Sequence, residues 1–183
     1  MRSNLFRRHL DVVKVDVPAW GIPHFEIRPN DDVIQIAHCA WVELATRKAG
    51  IEFDAENDVI VEVYSSWYEL FREMRRLASG CPAGRLAKDV DTQKLIQLII
   101  DVLNDGLRPH LTTWQARLRR WYAHALAEPA NHDLSPQEIQ RQFPEYTELL
   151  TDLQRVNEGL IQYRDELQLL ARRSRPRRRR PSI

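Results

Sequence analysis

DTQKLIQLIIDVLNDGLRPHLTTWQARLRRWYAHALA, residues 91–127, is the stretch whose reading decides the fold. Ile96, Ile100, Leu103, Leu107, Leu111, Trp114, Leu118, Trp121 and Ala125 recur at steps of three and four, which places them along one side of a 3.6-residue helix. Gly106 and Pro109 interrupt the run, and such a pair ordinarily divides one helix into two. The apolar line nevertheless keeps its phase across both, with Pro109 on the opposite side. The pattern therefore favours one long helix kinked near Gly106, with two shorter helices as the alternative.

Working outward, the same periodicity appears three more times. Asn30-Asp31-Asp32 supplies a capping side chain and two first-turn acids, and Val33, Ala37, Ala40, Trp41 and Leu44 follow at helical spacing up to Gly50. Residues 55–79 carry Ile60, Val63, Tyr64, Trp67, Leu70, Phe71 and Met74, and Gly80 and Pro82 close the segment. Ser135-Pro136-Gln137-Glu138 reads as a capping box opening a short helix. Beyond Pro144, Tyr146, Leu149, Leu150, Leu153, Val156, Leu160 and Leu167 mark a last helix to about Ala171. The expected fold is all-α, an antiparallel bundle of about four long helices over residues 30–171.

Residues 1–29 differ. DVVKVDV (11–17) and HFEIR (24–28) alternate with a strand period, and PAWGIP between them favours a turn. A short β-hairpin or an extended arm lying on the helices fits equally well. Its Phe6, Leu10, Val12, Val13, Val15, Trp20, Ile22 and Phe25 have no evident core of their own, so the segment must fold onto the bundle or onto another chain.

The chain has 183 residues, 43% hydrophobic and 29% charged, which is ordinary globular usage. Its net charge of +1 hides an asymmetry. Residues 172–183 carry Arg172, Arg173, Arg175, Arg177, Arg178, Arg179 and Arg180 and no acid, whereas residues 30–171 hold 15 basic against 23 acidic residues. With its prolines and no apolar core, this Arg-rich tail is expected to be disordered alone and to contact polyanions. Nucleic acid is the first expectation; an anionic membrane, an acidic protein or the acidic body of the chain are the others.

Only Cys39 and Cys81 occur, which suits reduced thiols rather than a disulfide framework. No window approaches the ~18 apolar residues of a spanning helix, and the N-terminus lacks an apolar signal core, so a cytoplasmic location is expected. The Arg-rich, Lys-poor composition suggests a GC-rich bacterial genome. The histidines His9, His24, His38, His110, His124 and His132 form no metal-ligand spacing, and no phosphate loop or nucleophile motif occurs. No metal or cofactor is expected.

Two polar residues, Asn157 and Arg164, stand one heptad apart within the last stripe. Such a pair fixes register or a partner when buried, as in coiled coils, or lies at the stripe edge with its polar ends in water. On the long helix, Arg117 and Arg120, with His110 and His124, flank Trp114 and Trp121, a combination that suits nucleic-acid contact or simply a solvated helix flank.

Arg119 to His124, RRWYAH, satisfies R-x4-H. It resembles the catalytic signature of the HEPN ribonuclease superfamily, all-α bundles of about this size. That resemblance implies an RNA-cleaving activity in which Arg119 stabilises phosphate charge and His124 serves as acid or base. The reading preferred from the whole sequence is instead a non-enzymatic helical interaction or scaffold protein. It would serve as a subunit of a larger assembly or self-associate, with the basic tail tethering it to nucleic acid or another polyanion.

Overall fold

The computed structural model describes residues 12–172, and the account below concerns those residues. The chain is mostly helical, with a two-stranded antiparallel hairpin at its start. Strand β1 (Val13–Val17) pairs with β2 (Ile22–Ile27), Val13 facing Ile27 and Val15 facing Phe25. Pro18–Trp20 form a short 3-10 turn, and Gly21 closes it at φ 65°, a left-handed conformation that glycine adopts without steric cost. The alternation of β1 is literal: Val13, Val15 and Val17 are buried, while Lys14 and Asp16 are exposed. The buried edge of the hairpin lies on the helices, which resolves the choice between hairpin and extended arm.

Helix α1 (Asp31–Ala45) starts where the Asn30 side chain accepts the Val33 N–H at 2.9 Å. The same Asn30 donates to Asp89 at 2.6 Å, and Asp89 caps α4 (Val90–Asp101) by accepting from the N–H groups of Asp91 and Thr92. Two helix starts are thereby tied together. Helix α2 (Ile60–Ser79) begins five residues later than its sequence pattern suggests. Asp54 accepts from the N–H groups of Glu56 and Asn57, and Asp58 accepts from that of Asp54, so local side-chain bonds hold residues 54–58 in turns instead. The short helix α3 (Ala83–Leu86) leads into α4.

Helix α4 does not break at Gly106 or Pro109. It passes through a π-helical segment, Val102–Leu107, and continues as α5 (Arg108–Ala127). Pro109 lacks an N–H and its ring would crowd the carbonyl four residues earlier. The widened turn accommodates this, with Arg108 N–H reaching back five residues to Leu103 O. The inner line of the helix is correspondingly not the ideal one. His110, Trp114, Leu118, Tyr122 and Ala125 are buried in α5, while Leu111 and Trp121 are only partly buried and Ile100 is 38% exposed.

A 3-10 turn (Pro129–Asn131) and helix α6 (Pro136–Gln140) follow, the latter opened by the reciprocal Ser135–Glu138 capping box. The last helix, α7 (Tyr146–Arg172), spans 27 residues, about 40 Å at 1.5 Å per residue. Helices α1 and α7 pack along each other, and β1 lies on α7. One core joins hairpin and helices, with Trp67, Leu153 and Leu160 wholly inside and Trp114 9% exposed. Among the described residues no helix is long and apolar enough to cross a membrane.

Candidate functional site

The densest polar constellation lies inside, where α2, α5 and α7 meet. Tyr64 comes from the inner stripe of α2, His110 from the first turn of α5, and Asp152 from the flank of α7. His110 Nδ1 is 2.7 Å from Asp152 Oδ2, and the Tyr64 hydroxyl is 2.9 Å from His110 Nε2. Trp114 Nε1 donates to the same Asp152 oxygen at 3.0 Å, and Arg155 donates to the other at 2.7 Å. Trp67 closes the cluster, its ring 5.5 Å from the imidazole.

The chemistry fixes the protons. Burial works against ionisation of Asp152, but hydrogen bonds from Arg155, His110 and Trp114 outweigh it and hold its carboxyl below the ordinary carboxylate range. An ionised carboxylate only accepts, so Nδ1 carries the proton. Burial lowers the His110 pKa despite the hydrogen bond and charge of Asp152, and a neutral ring leaves Nε2 as the acceptor for the Tyr64 O–H. Burial, reinforced by the Asp152 charge, drives the Tyr64 phenol far above its usual value. The array is thus Tyr64 O–H to His110 Nε2, and His110 Nδ1–H to Asp152. It resembles an acid–base relay in connectivity, yet the His110 side chain is wholly enclosed. A general base must reach the proton it abstracts, and the His110 ring is shut away from solvent while Asp152 stays about a quarter exposed.

Sequence reasoning missed it. His110 projects to the edge of the apolar line, four residues before buried Trp114, and its acid partner Asp152 lies forty-two residues away on another helix. The one legible signal is an unusual combination: a histidine between the apolar residues of a long helix and an acid on the flank of another.

Asn157 is buried on α7 and clamps the loop between α1 and α2. Its amide nitrogen donates to Ala49 O at 3.0 Å and Ile51 O at 3.1 Å, and its oxygen accepts the Phe53 N–H at 2.9 Å. Arg164, two turns on, donates to Gly50 O at 2.5 Å and pairs with Asp165. Both residues therefore serve a loop of their own chain. Buried Gln140 does a comparable task for α2: its oxygen accepts the Ile60 N–H at 2.8 Å and its nitrogen donates to Asp58 O at 3.0 Å.

The surface candidates are separate from this interior. Arg119, Arg120 and His124 are exposed on α5. Arg117 lies over the Trp114 ring, 5.2 Å from its centroid, and pairs with Glu145. Arg117 and Trp114 are thus adjacent, but the cation is engaged within the chain, and His110 does not share that surface. Arg172 is exposed at the end of α7. Arg173, Arg175, Arg177, Arg178, Arg179 and Arg180 lie outside the described residues. A shallow cleft of about 240 Å³ between α1 and α2 is lined by His38, Cys39, Val42, Glu43, Glu73 and Arg76, of which Glu73 and Arg76 pair with each other. Among the described residues no three His, Cys, Asp or Glu side chains converge as metal ligands.

No family model, curated protein or solved structure matches this chain.

Proposed function

We propose that the protein is a non-enzymatic helical interaction module whose Arg-rich tail tethers it to a polyanion, nucleic acid first among them. The observation that supports this reading is the enclosure of the His110 ring beside a half-buried Asp152. Of the described histidines it is the one held by both an acid and a phenol, and its side chain is fully enclosed. With that ring enclosed, what the molecule offers to its surroundings is charge and helix surface. Residues 30–171 carry a net −8, and residues 172–183 carry seven arginines and no acid. Each arginine that neutralises a phosphate releases counterions, which favours salt-sensitive, sequence-tolerant binding.

We infer in the same way that the long helices form an antiparallel bundle. The Asn157 and Arg164 bonds support this: Ala49 meets Asn157 and Gly50 meets Arg164, while α1, which precedes that loop, packs along α7. The extended sides of α5 and α7 are the surfaces for a partner or a second copy. Cys39 and Cys81 are both thiols, which suits a reducing cytoplasm.

A binding titration against RNA and DNA over a range of salt tests the tether. The chain should bind with a steep negative dependence of log affinity on log salt, and replacing the seven tail arginines by glutamine should remove most of that slope. Unchanged binding in that variant contradicts the tether. The alternative, an HEPN-like ribonuclease acting through Arg119 and His124, draws support from the exposure of both side chains on α5. RNA turnover lost in His124→Ala would favour it over the module reading; no turnover in the unmodified chain removes it.

A further inference from the structure

Charge is unevenly placed on the body of the chain. Of the 15 basic residues in 30–171, four, Arg108, Arg117, Arg119 and Arg120, lie on α5, and none of the 23 acids does. The rest of the body therefore sets 11 basic residues against all 23 acids. An acid-free helix of 20 residues is a local basic surface wherever its arginines face water and are not already neutralised.

Both conditions hold at Arg119 and Arg120. Each is exposed. Elsewhere Arg47, Arg72, Arg76, Arg85, Arg141 and Arg155 each pair with a carboxylate of the chain. Arg119 and Arg120 have no such partner among the described residues. The helix itself offers them none, since the residues three and four places away are Gln115, Ala116, Arg117, Tyr122, Ala123 and His124. The helix dipole accounts for a cation in the last turn, where His124 stands, but Arg119 and Arg120 lie further in. Arg108 and Arg117 are committed, the first over the Phe71 ring and the second to Glu145.

At about 100° per residue, Arg119 and Arg120 fall on either side of a line through Ala116 and Ala123, which are exposed as well. Two guanidinium groups thus flank a strip that carries methyl groups, and a guanidinium fork matches the oxygens of a phosphate. A protein partner needs a large apolar anchor at the centre of its contact, and a membrane surface needs an apolar face. The large apolar side chains of α5 turn inward instead, with Leu126 alone fully exposed, at the last turn. Trp121, one turn from Arg117, is partly exposed and suits a stacked, unpaired base. The basic tail starts elsewhere. Arg117 reaches Glu145, just before α7 begins, whereas Arg172 ends α7 about 40 Å away at 1.5 Å per residue.

We propose that the outer face of α5, through Arg119 and Arg120, is a nucleic-acid contact that holds the phosphodiester backbone of a single strand, separate from the tail. It rests on the polyanion reading for its class of ligand but not on the tail, and it requires no cleavage of the strand.

The test titrates fluorescent oligouridine and oligothymidine of about 20 nucleotides, longer than one such contact, against the full chain over a range of salt. Arg119→Gln/Arg120→Gln should lower the slope of log affinity on log salt by about 1.4, the share of two phosphates on a single strand. Glutamine is a good helix former, so the exposed sites keep the fold, and Arg119→Lys/Arg120→Lys should keep the slope. Arg72→Gln/Arg85→Gln removes the same charge from arginines that already hold acids and should leave the slope unchanged. The α5 loss should appear equally in a chain whose seven tail arginines are glutamine. Either strand supports the proposal, and tighter binding of uridine names RNA as the source. An unchanged slope in Arg119→Gln/Arg120→Gln overturns it, and the tether still stands if the tail variant loses its own share. An equal drop in Arg72→Gln/Arg85→Gln overturns it too, because net charge alone would then explain binding. Polyglutamate that competes as strongly per charge assigns the face to an acidic protein and likewise overturns it.

Discussion

His110 is where a single side chain decides most. It satisfies two groups at once, the buried Tyr64 hydroxyl and the half-buried Asp152 carboxylate. Changing His110 to Ala leaves both groups short of a partner and opens a void, so chemical denaturation should show a loss of about 2–4 kcal/mol. The pH dependence follows from the direction of its shift. A histidine whose folded pKa lies below its unfolded value of 6.5 binds fewer protons when folded. Its contribution is complete above pH 6.5 and is lost as pH falls from there toward the folded value. Asp152, also lowered, adds a second loss at more acid pH, below its ordinary 3.8. Thermal unfolding of the unmodified chain between pH 7.5 and 5 should show the first decline, and His110→Phe should flatten it. Asn157 is the other decisive residue: Asn157→Ala abandons the Phe53 N–H and the carbonyls of Ala49 and Ile51, and should cost about 2–3 kcal/mol by the same measurement.

At the scale of elements, local patterns were legible and distant partners were not. The Asn30 cap, the Ser135 capping box and the inner stripes of α2 and α7 are read directly from spacing, because each depends on neighbours three or four residues away. The start of α2 was not, since Asp54 and Asp58 turn the chain where apolar periodicity alone would extend the helix. Nor could spacing reveal that Gln140, eighty residues on, supplies the missing cap at Ile60. Gln140→Ala should therefore loosen the first turn of α2 at a cost of about 1–3 kcal/mol, seen as faster hydrogen exchange at Ile60 and its neighbours. Gly106 and Pro109 were legible as an irregularity, but its form was not. The π segment, with the Arg108 N–H bonded to Leu103 O, is not written in the spacing, and the close approach of Gly106 to Trp20 needs the tertiary fold.

For the molecule as a whole, composition announced an acidic helical body with a basic end, and the body is mostly helical with Trp67 and Trp114 buried. The candidate surface residues Arg117, Arg119, Arg120 and His124 were visible in the sequence; the interior relay was not, because it is assembled from three helices. The proposal that the protein binds rather than catalyses draws on the enclosure of His110, and the protonation of that ring is the place to test it. Nitrogen NMR of the His110 ring across pH is the most direct measurement. A sealed, structural His110 should appear as the Nδ1–H tautomer with a pKa below 6.5. An Nε2–H tautomer, or titration at or above 6.5, would mean an imidazole open to solvent and available for proton transfer, and would contradict the account.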